Sequence, residues 1–334
     1  MAKRICVLQD YLRMGGTERN SLALCKHLAE EGEHVTLVTA RPGGPLEASA
    51  DSLNVQRITI QPFDWKLNWF PPVLSGKIVS LGPEKAILMG RVANEFGWRL
   101  KARNPDLELV ASIRTGRPFT AAYRRTLNVA DSIWVNSQYA ADRATEIGIS
   151  ADKMKLVQNY EIHELSYANR MERRDQSRRE LGVEDGAPAV FVKVAAFRPG
   201  KCHEKLIRIF KRIDDLLAGR HAWQLWLVGS GSEESACRRL VAKLGLGEKV
   251  RFFGLQLDVS KYYYAGDCAV SASQEESNSN FIQEARRAGL PVIAFQAGGT
   301  SERTRGSNGE VAWASSDDAL QESLLEFIKA KYSR

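Results

Sequence analysis

Two glutamates, Glu276 and Glu284, are separated by seven residues in the stretch 271–285, Ser-Ala-Ser-Gln-Glu-Glu-Ser-Asn-Ser-Asn-Phe-Ile-Gln-Glu-Ala. The run Asp-Cys-Ala-Val-Ser (267–271) reads as a buried strand that ends in a polar loop, and a helix is expected from about Ser279. Glu276 then stands on the loop and Glu284 more than one turn inside the helix. Between them, the first-turn amides around Asn278, Ser279, Asn280 and Phe281 have no intrahelical partners and suit an anion. A sugar hydroxyl, a phosphate and a ribose would match the loop carboxylate, the amides and the helix carboxylate in turn. Arg198 and Lys201, in the turn Phe-Arg-Pro-Gly-Lys (197–201), have the charge to neutralise a diphosphate. Spacing alone favours a plainer picture, a strand–loop–helix with solvated glutamates and a turn with solvated cations.

Such residues need elements to hold them. The 334 residues, 44% hydrophobic, suit two domains that each bury a core. Apolar runs at 5–9, 34–39, 85–89, 107–113, 133–135 and 155–157 alternate with helical patterns. The alternation resumes at 189–195, 225–228, 250–253, 268–271 and 292–295. This order predicts α/β domains with parallel sheets, whose ligands bind at the carboxyl ends of the strands. Thr17 is expected to cap the first helix, and Gly15 and Gly16 precede it without a Gly-x-Gly-x-x-Gly fingerprint. Residues 41–84 are the least legible. Within them, 63–72 combine aromatic and basic residues suited to a membrane interface or an acceptor sugar, although packing onto their own domain is the simpler account. The segment 159–179, with Arg170, Arg173, Arg174, Arg178 and Arg179 interrupted by acids, is expected to form a solvated helix.

Composition narrows the function classes. The net charge is +7 and the isoelectric point about 9.1, which favours anionic partners without choosing among nucleotides, lipids and nucleic acid. No nucleic-acid recognition motif accompanies the charge. No apolar run reaches eighteen residues, and the start is too weakly apolar for a signal peptide. Five cysteines without a Cys-x-x-Cys point away from disulfides and zinc and toward a reducing compartment. No Asp-x-Asp pair is present to hold a divalent ion on a diphosphate, and the five histidines form no metal or nucleophile constellation.

The 276–284 stretch resembles the Glu-x7-Glu signature of retaining GT-B glycosyltransferases, in particular glycosyltransferase family four. Gly15-Gly16-Thr-Glu18, Phe197–Lys201, Val228-Gly-Ser-Gly231, Gly298-Gly-Thr-Ser-Glu302 and Asn308-Gly309 match in the same order. The resemblance is dense over 188–312 and faint over 40–105. It implies two Rossmann-like domains facing a central cleft: 1–160 on the acceptor side, a linker with a basic helix at 161–187, and a donor domain at 188–334. The last helix is expected to reach back toward the first domain. Glu284 would receive the donor's ribose, Glu276 would lie beside the transferred sugar, and Lys201 with Arg198 would neutralise the diphosphate. Gly229, Gly254 and Leu255 would lie along the donor, with the base near the last two. Gly15, Gly16 and Arg114 would close the cleft. The implied reaction moves a sugar from a UDP- or GDP-linked donor to a saccharide, glycolipid or small molecule, with retention, without metal or other cofactor and without nucleic acid. The expected setting is the cytoplasm, at the inner membrane face where the acceptor is lipid-linked.

Two departures leave alternatives. Arg114 stands where the family often has a histidine, and Ala196 where it often has an arginine. Arg198 is the expected substitute for the second; Lys193 competes, but lies within a strand with its side chain expected to point away. A GT-B sugar-nucleotide epimerase and an inactive GT-B binding subunit are the rival readings.

Overall fold

A computed structural model describes residues 2–64, 74–114, 118–157, 170–183, 188–274, 276, 278–298 and 310–333. The chain divides into two compact units, Met1–Ile162 and His163–Arg334.

In the first unit, strands β1 (Arg4–Gln9), β2 (His34–Thr39), β3 (Gln56–Thr59), β4 (Lys85–Leu88), β5 (Glu108–Ile113), β6 (Ser132–Val135) and β7 (Met154–Leu156) form a parallel sheet ordered β3-β2-β1-β4-β5-β6-β7. The continuous apolar run of β1 follows from cover on both faces. Cys6 and Leu8 enter one core cluster, and Ile5 and Val7 the other. Strand order reverses between β1 and β4. There Asp10 accepts bonds from the amides of Val92 and Ala93, 3.1 and 2.9 Å away, and so secures the start of the helix Arg91–Arg103.

The second unit has β8 (Ala189–Val194), β9 (Trp223–Val228), β10 (Val250–Gly254), β11 (Cys268–Ser271), β12 (Val292–Phe295) and β13 (Val311–Ala314), parallel and ordered β10-β9-β8-β11-β12-β13. Here the order reverses between β8 and β11. Ala189 and Phe191 pack under the helix His203–Leu217, while Val190 and Val192 face the cluster of Tyr262, Tyr263 and Tyr264.

Two expectations change. The helix Gly16–Glu30 begins at an N-cap Gly15 without a side-chain cap, so Thr17 lies inside it. Glu18 curls back over Gly15: a Cβ there would stand 2.2 Å from its carboxylate. The basic helix, Arg170–Glu180, falls in the second unit and, though largely exposed, buries Ser177 and Arg178. Arg170, Arg174 and Arg178, spaced four apart, share one face. They donate to Ala288 O (2.7 Å), Gly266 O (2.6 Å) and Ala265 O (3.0 Å). Two of these acceptors lie at the carbonyl end of the helix Ser260–Ala265, where cations are favoured. The last helix is Asp317–Tyr332. It buries Leu320, Leu324 and Ile328 in the core of the second unit. In the poorly legible region, Glu47–Asp51 and Leu74–Ser80 are helical. Phe63 is 71% exposed, and the rest of the aromatic segment, 65–72, lies outside the described residues.

Candidate active site

Lys201 ends the turn after β8, and Glu276 stands on the loop after β11. Their side chains form an ion pair, Lys201 Nζ to Glu276 Oε1, with 17% and 12% of each exposed. The Gln274 amide donates to Gly200 O at 3.3 Å and ties the two loops together. Because β8 and β11 flank the reversal of strand order, the pair occupies the place where open α/β sheets take their ligands. Residues 75 apart in sequence thus meet through topology.

Lys193, on β8, is 1% exposed. By strand alternation it shares the face of Phe191, which packs under the helix His203–Leu217. Burial pulls its pKa down to about 7 and the Lys201 charge adds to this, while Glu276 and Cys202 pull the other way. His203, fully buried, stacks on Phe197 with ring centroids 4.1 Å apart. Neither of its ring nitrogens bonds to a described residue. Burial, reinforced by Lys193 and Lys201, pulls its pKa to about 2, so the imidazole is neutral. Arg198 is exposed, and its side chain pairs with no described residue. Its carbonyl accepts the Lys201 amide at 3.1 Å, which closes the turn.

The helix Asn280–Arg287 starts one residue later than expected, at an N-cap Ser279 whose side chain makes no capping bond. Asn278 and Asn280 are half-buried. Phe281 is 9% exposed, with its ring 6.0 Å from that of Tyr263, so the ring belongs to the core. Glu284 is half-buried and accepts a 2.7 Å bond from the Tyr263 hydroxyl. Sequence reasoning missed Tyr263. The signal was the run Tyr262-Tyr263-Tyr264 on one short helix, because a buried tyrosine needs a polar partner for its hydroxyl.

Gly229 and Gly231 have a packing reason to be glycine. A Cβ at either would stand 2.2 Å from Ala195 O or 2.3 Å from Phe197 O. The turn after β9 therefore lies against the turn that carries Lys201, and Phe197 N donates to Ser230 O at 3.0 Å. Gly254 ends β10, and the half-exposed Leu255 lines a surface pocket with Glu172, Arg173 and Tyr264. In the first unit, Gly15 and Gly16 open the helix after β1. Arg114 donates to Asn20 Oδ1 of that helix at 2.8 Å. Residues 299–309, which hold the later matching stretches apart from Gly298, lie outside the described residues.

A model of the glycosyl transferases group 1 matches residues 174–334, and one of Glycosyltransferase Family 4 matches residues 14–160. Between them they take in both parallel-sheet units. The chain belongs to the family 4-like GT-B glycosyltransferases. The lipopolysaccharide core biosynthesis glycosyltransferase LpsD of Rhizobium meliloti (strain 1021) is 36% identical over 112 residues, 34% of this chain and 31% of that protein. The amylovoran biosynthesis glycosyltransferase AmsD of Erwinia amylovora is 23% identical over 309 residues, 88% of this chain and 81% of its own. The first curated relatives are matched over less than half of their length, 31%, 42% and 25%. HepE of Anabaena, crystallised with UDP and glucose, shares the fold: the TM-score is 0.80 at 20% identity, over 99% of this chain and 91% of that one. Among the described residues of this family member, no helix is long and apolar enough to cross a membrane.

Proposed function

We propose that this protein transfers a sugar, with retention and without metal, from a UDP- or GDP-linked donor to a saccharide, glycolipid or small-molecule acceptor. The observation that carries the reading is the Lys201–Glu276 pair at the β8–β11 reversal, with Glu284 on the helix that follows. Lys201 offers its charge to the diphosphate, and Glu276, released from it, receives sugar hydroxyls. Glu284, oriented by Tyr263, accepts from the ribose hydroxyls, and the amides that open the helix Asn280–Arg287 face the phosphate. Departure of the diphosphate leaves negative charge that Lys201 opposes. The donor's own phosphate then takes the acceptor proton on the same face, so no separate base is required. The printed names of LpsD and AmsD, in lipopolysaccharide core and amylovoran biosynthesis, favour a saccharide or saccharide-bearing lipid as acceptor.

The test pairs binding with transfer. UDP or GDP, screened by thermal shift, should stabilise the chain by about 2.7 kcal/mol at a hundred times its Kd. Sugar transfer from the matching donor should persist in excess chelator and give a product of unchanged anomeric configuration. Stabilisation by neither nucleotide, or a strict need for a divalent ion, would overturn this function.

A further inference from the structure

The established motifs give Lys193 no task. We propose that Lys193 is a positioning residue that takes up a proton when a diphosphate settles against Lys201, coupling donor binding to a gain of positive charge inside the site. The proposal rests on the donor reading above. The rest of β8 is Ala189, Val190, Phe191, Val192 and Val194, the composition a doubly covered parallel strand requires. An apolar residue at 193 would satisfy that strand, whereas a lysine with 1% exposure is costly there.

Lys193 shares the face of Phe191, which packs under the helix His203–Leu217. Lys193 stands one residue before the end of β8, whose following turn carries Lys201, and the charges of the Lys201–Glu276 pair act on it. β9 sets the uncharged Leu227 beside it. No described residue makes a hydrogen bond or ion pair with its ammonium group. His203 is neutral, so Lys201 and Glu276 are the charges that act on Lys193, and they oppose each other. Burial then brings the pKa to about 7, so the uncharged amine predominates at pH 8.

A bound nucleoside diphosphate changes the balance. Its negative charges lie against Lys201, and in a site this enclosed they are weakly screened. The cationic form of Lys193 becomes favoured and one proton moves from buffer to its amine. The resulting ammonium opposes the charge that grows on the diphosphate as the bond to the sugar breaks. Release of the diphosphate returns the proton to solvent. The group that stands in for the family's missing arginine is then drawn from the strand, in addition to the exposed turn residue Arg198.

Titration calorimetry of the full chain with UDP and with GDP at pH 8, in buffers of different ionisation enthalpy, counts the protons exchanged. The nucleotide's own phosphates are fully ionised there. Wild type should take up roughly one proton with the nucleotide that binds. Lys193→Met should take up close to none and bind roughly tenfold more weakly. Lys193→Gln gives the same comparison should the methionine variant fail to fold. Binding without proton uptake, or equal uptake in the Lys193 variants, would overturn the proposal and leave the donor reading standing; binding of neither nucleotide would overturn both.

Discussion

Glu276 and Glu284 have different partners, so their loss should read differently. Glu284 is held by the Tyr263 hydroxyl at 2.7 Å. Glu284→Gln should weaken nucleoside diphosphate binding by about 1.5–3 kcal/mol, the scale of a charged hydrogen bond, and Tyr263→Phe by about 1 kcal/mol. Glu276→Gln removes the counter-charge of Lys201 and should leave diphosphate binding equal or tighter while turnover with the full donor falls. Calorimetry of the three variants checks the division, and equal weakening by both glutamate changes would refute it. Lys193 adds a pH signature to stability. Its folded pKa, about 7, lies below the ordinary 10.5, so between these values the unfolded chain binds more protons than the folded one. Wild-type stability should therefore rise with pH across that window. Lys193→Met should lack the rise and be more stable at pH 7 by about 1–4 kcal/mol, the range seen when buried charges give way to apolar isosteres. Urea unfolding from pH 6.5 to 10 would decide it.

At the scale of elements, Asp267 joins pieces that the sequence keeps far apart. It precedes β11, accepts the Val190 amide at 2.8 Å, and pairs with Arg174 at 2.5 Å and Lys331 at 2.6 Å. The basic helix, the start of β8 and the last helix therefore share one carboxylate. Burial pushes its pKa up, but the Lys331 bond, the Val190 amide and the Arg174 charge outweigh burial and hold it below the usual carboxylate range. Its side chain is 10% exposed, so solvent screens these contacts little. Asp267→Asn should cost about 3 kcal/mol at pH 7, because it leaves partly buried cations without their partner. A depressed carboxylate stabilises above its unfolded pKa and loses that contribution as pH falls through the folded one. The difference between variant and wild type should accordingly shrink toward strongly acid pH in urea unfolding curves.

For the whole molecule, the relevant quantity is charge. A net charge of +7 attracts anionic surfaces, and the exposed Phe63 adds an apolar contact beside the Arg41–Asp64 pair. A chain that works on a lipid-borne acceptor should sediment with anionic liposomes at low salt and release as ionic strength rises past the point where the Debye length falls below about 8 Å. Salt-insensitive binding, or none, would leave the acceptor to be met in solution.

The sequence alone determined the two-domain α/β architecture, because apolar runs alternating with helical periodicity bury only as parallel sheets covered on both faces. It also put Lys201 on a turn, Glu276 on a loop and Glu284 on a helix, since turn, loop and helix start are set by local residue types. It did not foresee the tasks of the basic helix or Tyr263. Arg174 and Arg178 look solvated until the carbonyl end of a helix some 90 residues away is set against them, and Arg170 until Ala288 O is. Tyr263 looks like core until Glu284 is brought to its hydroxyl. The burial of Lys193 and the meeting of Lys201 with Glu276 depend on strand order and on which face of β8 the helix covers. Those are long-range matters, decided by which strands pair and which faces meet, and no window of sequence contains them.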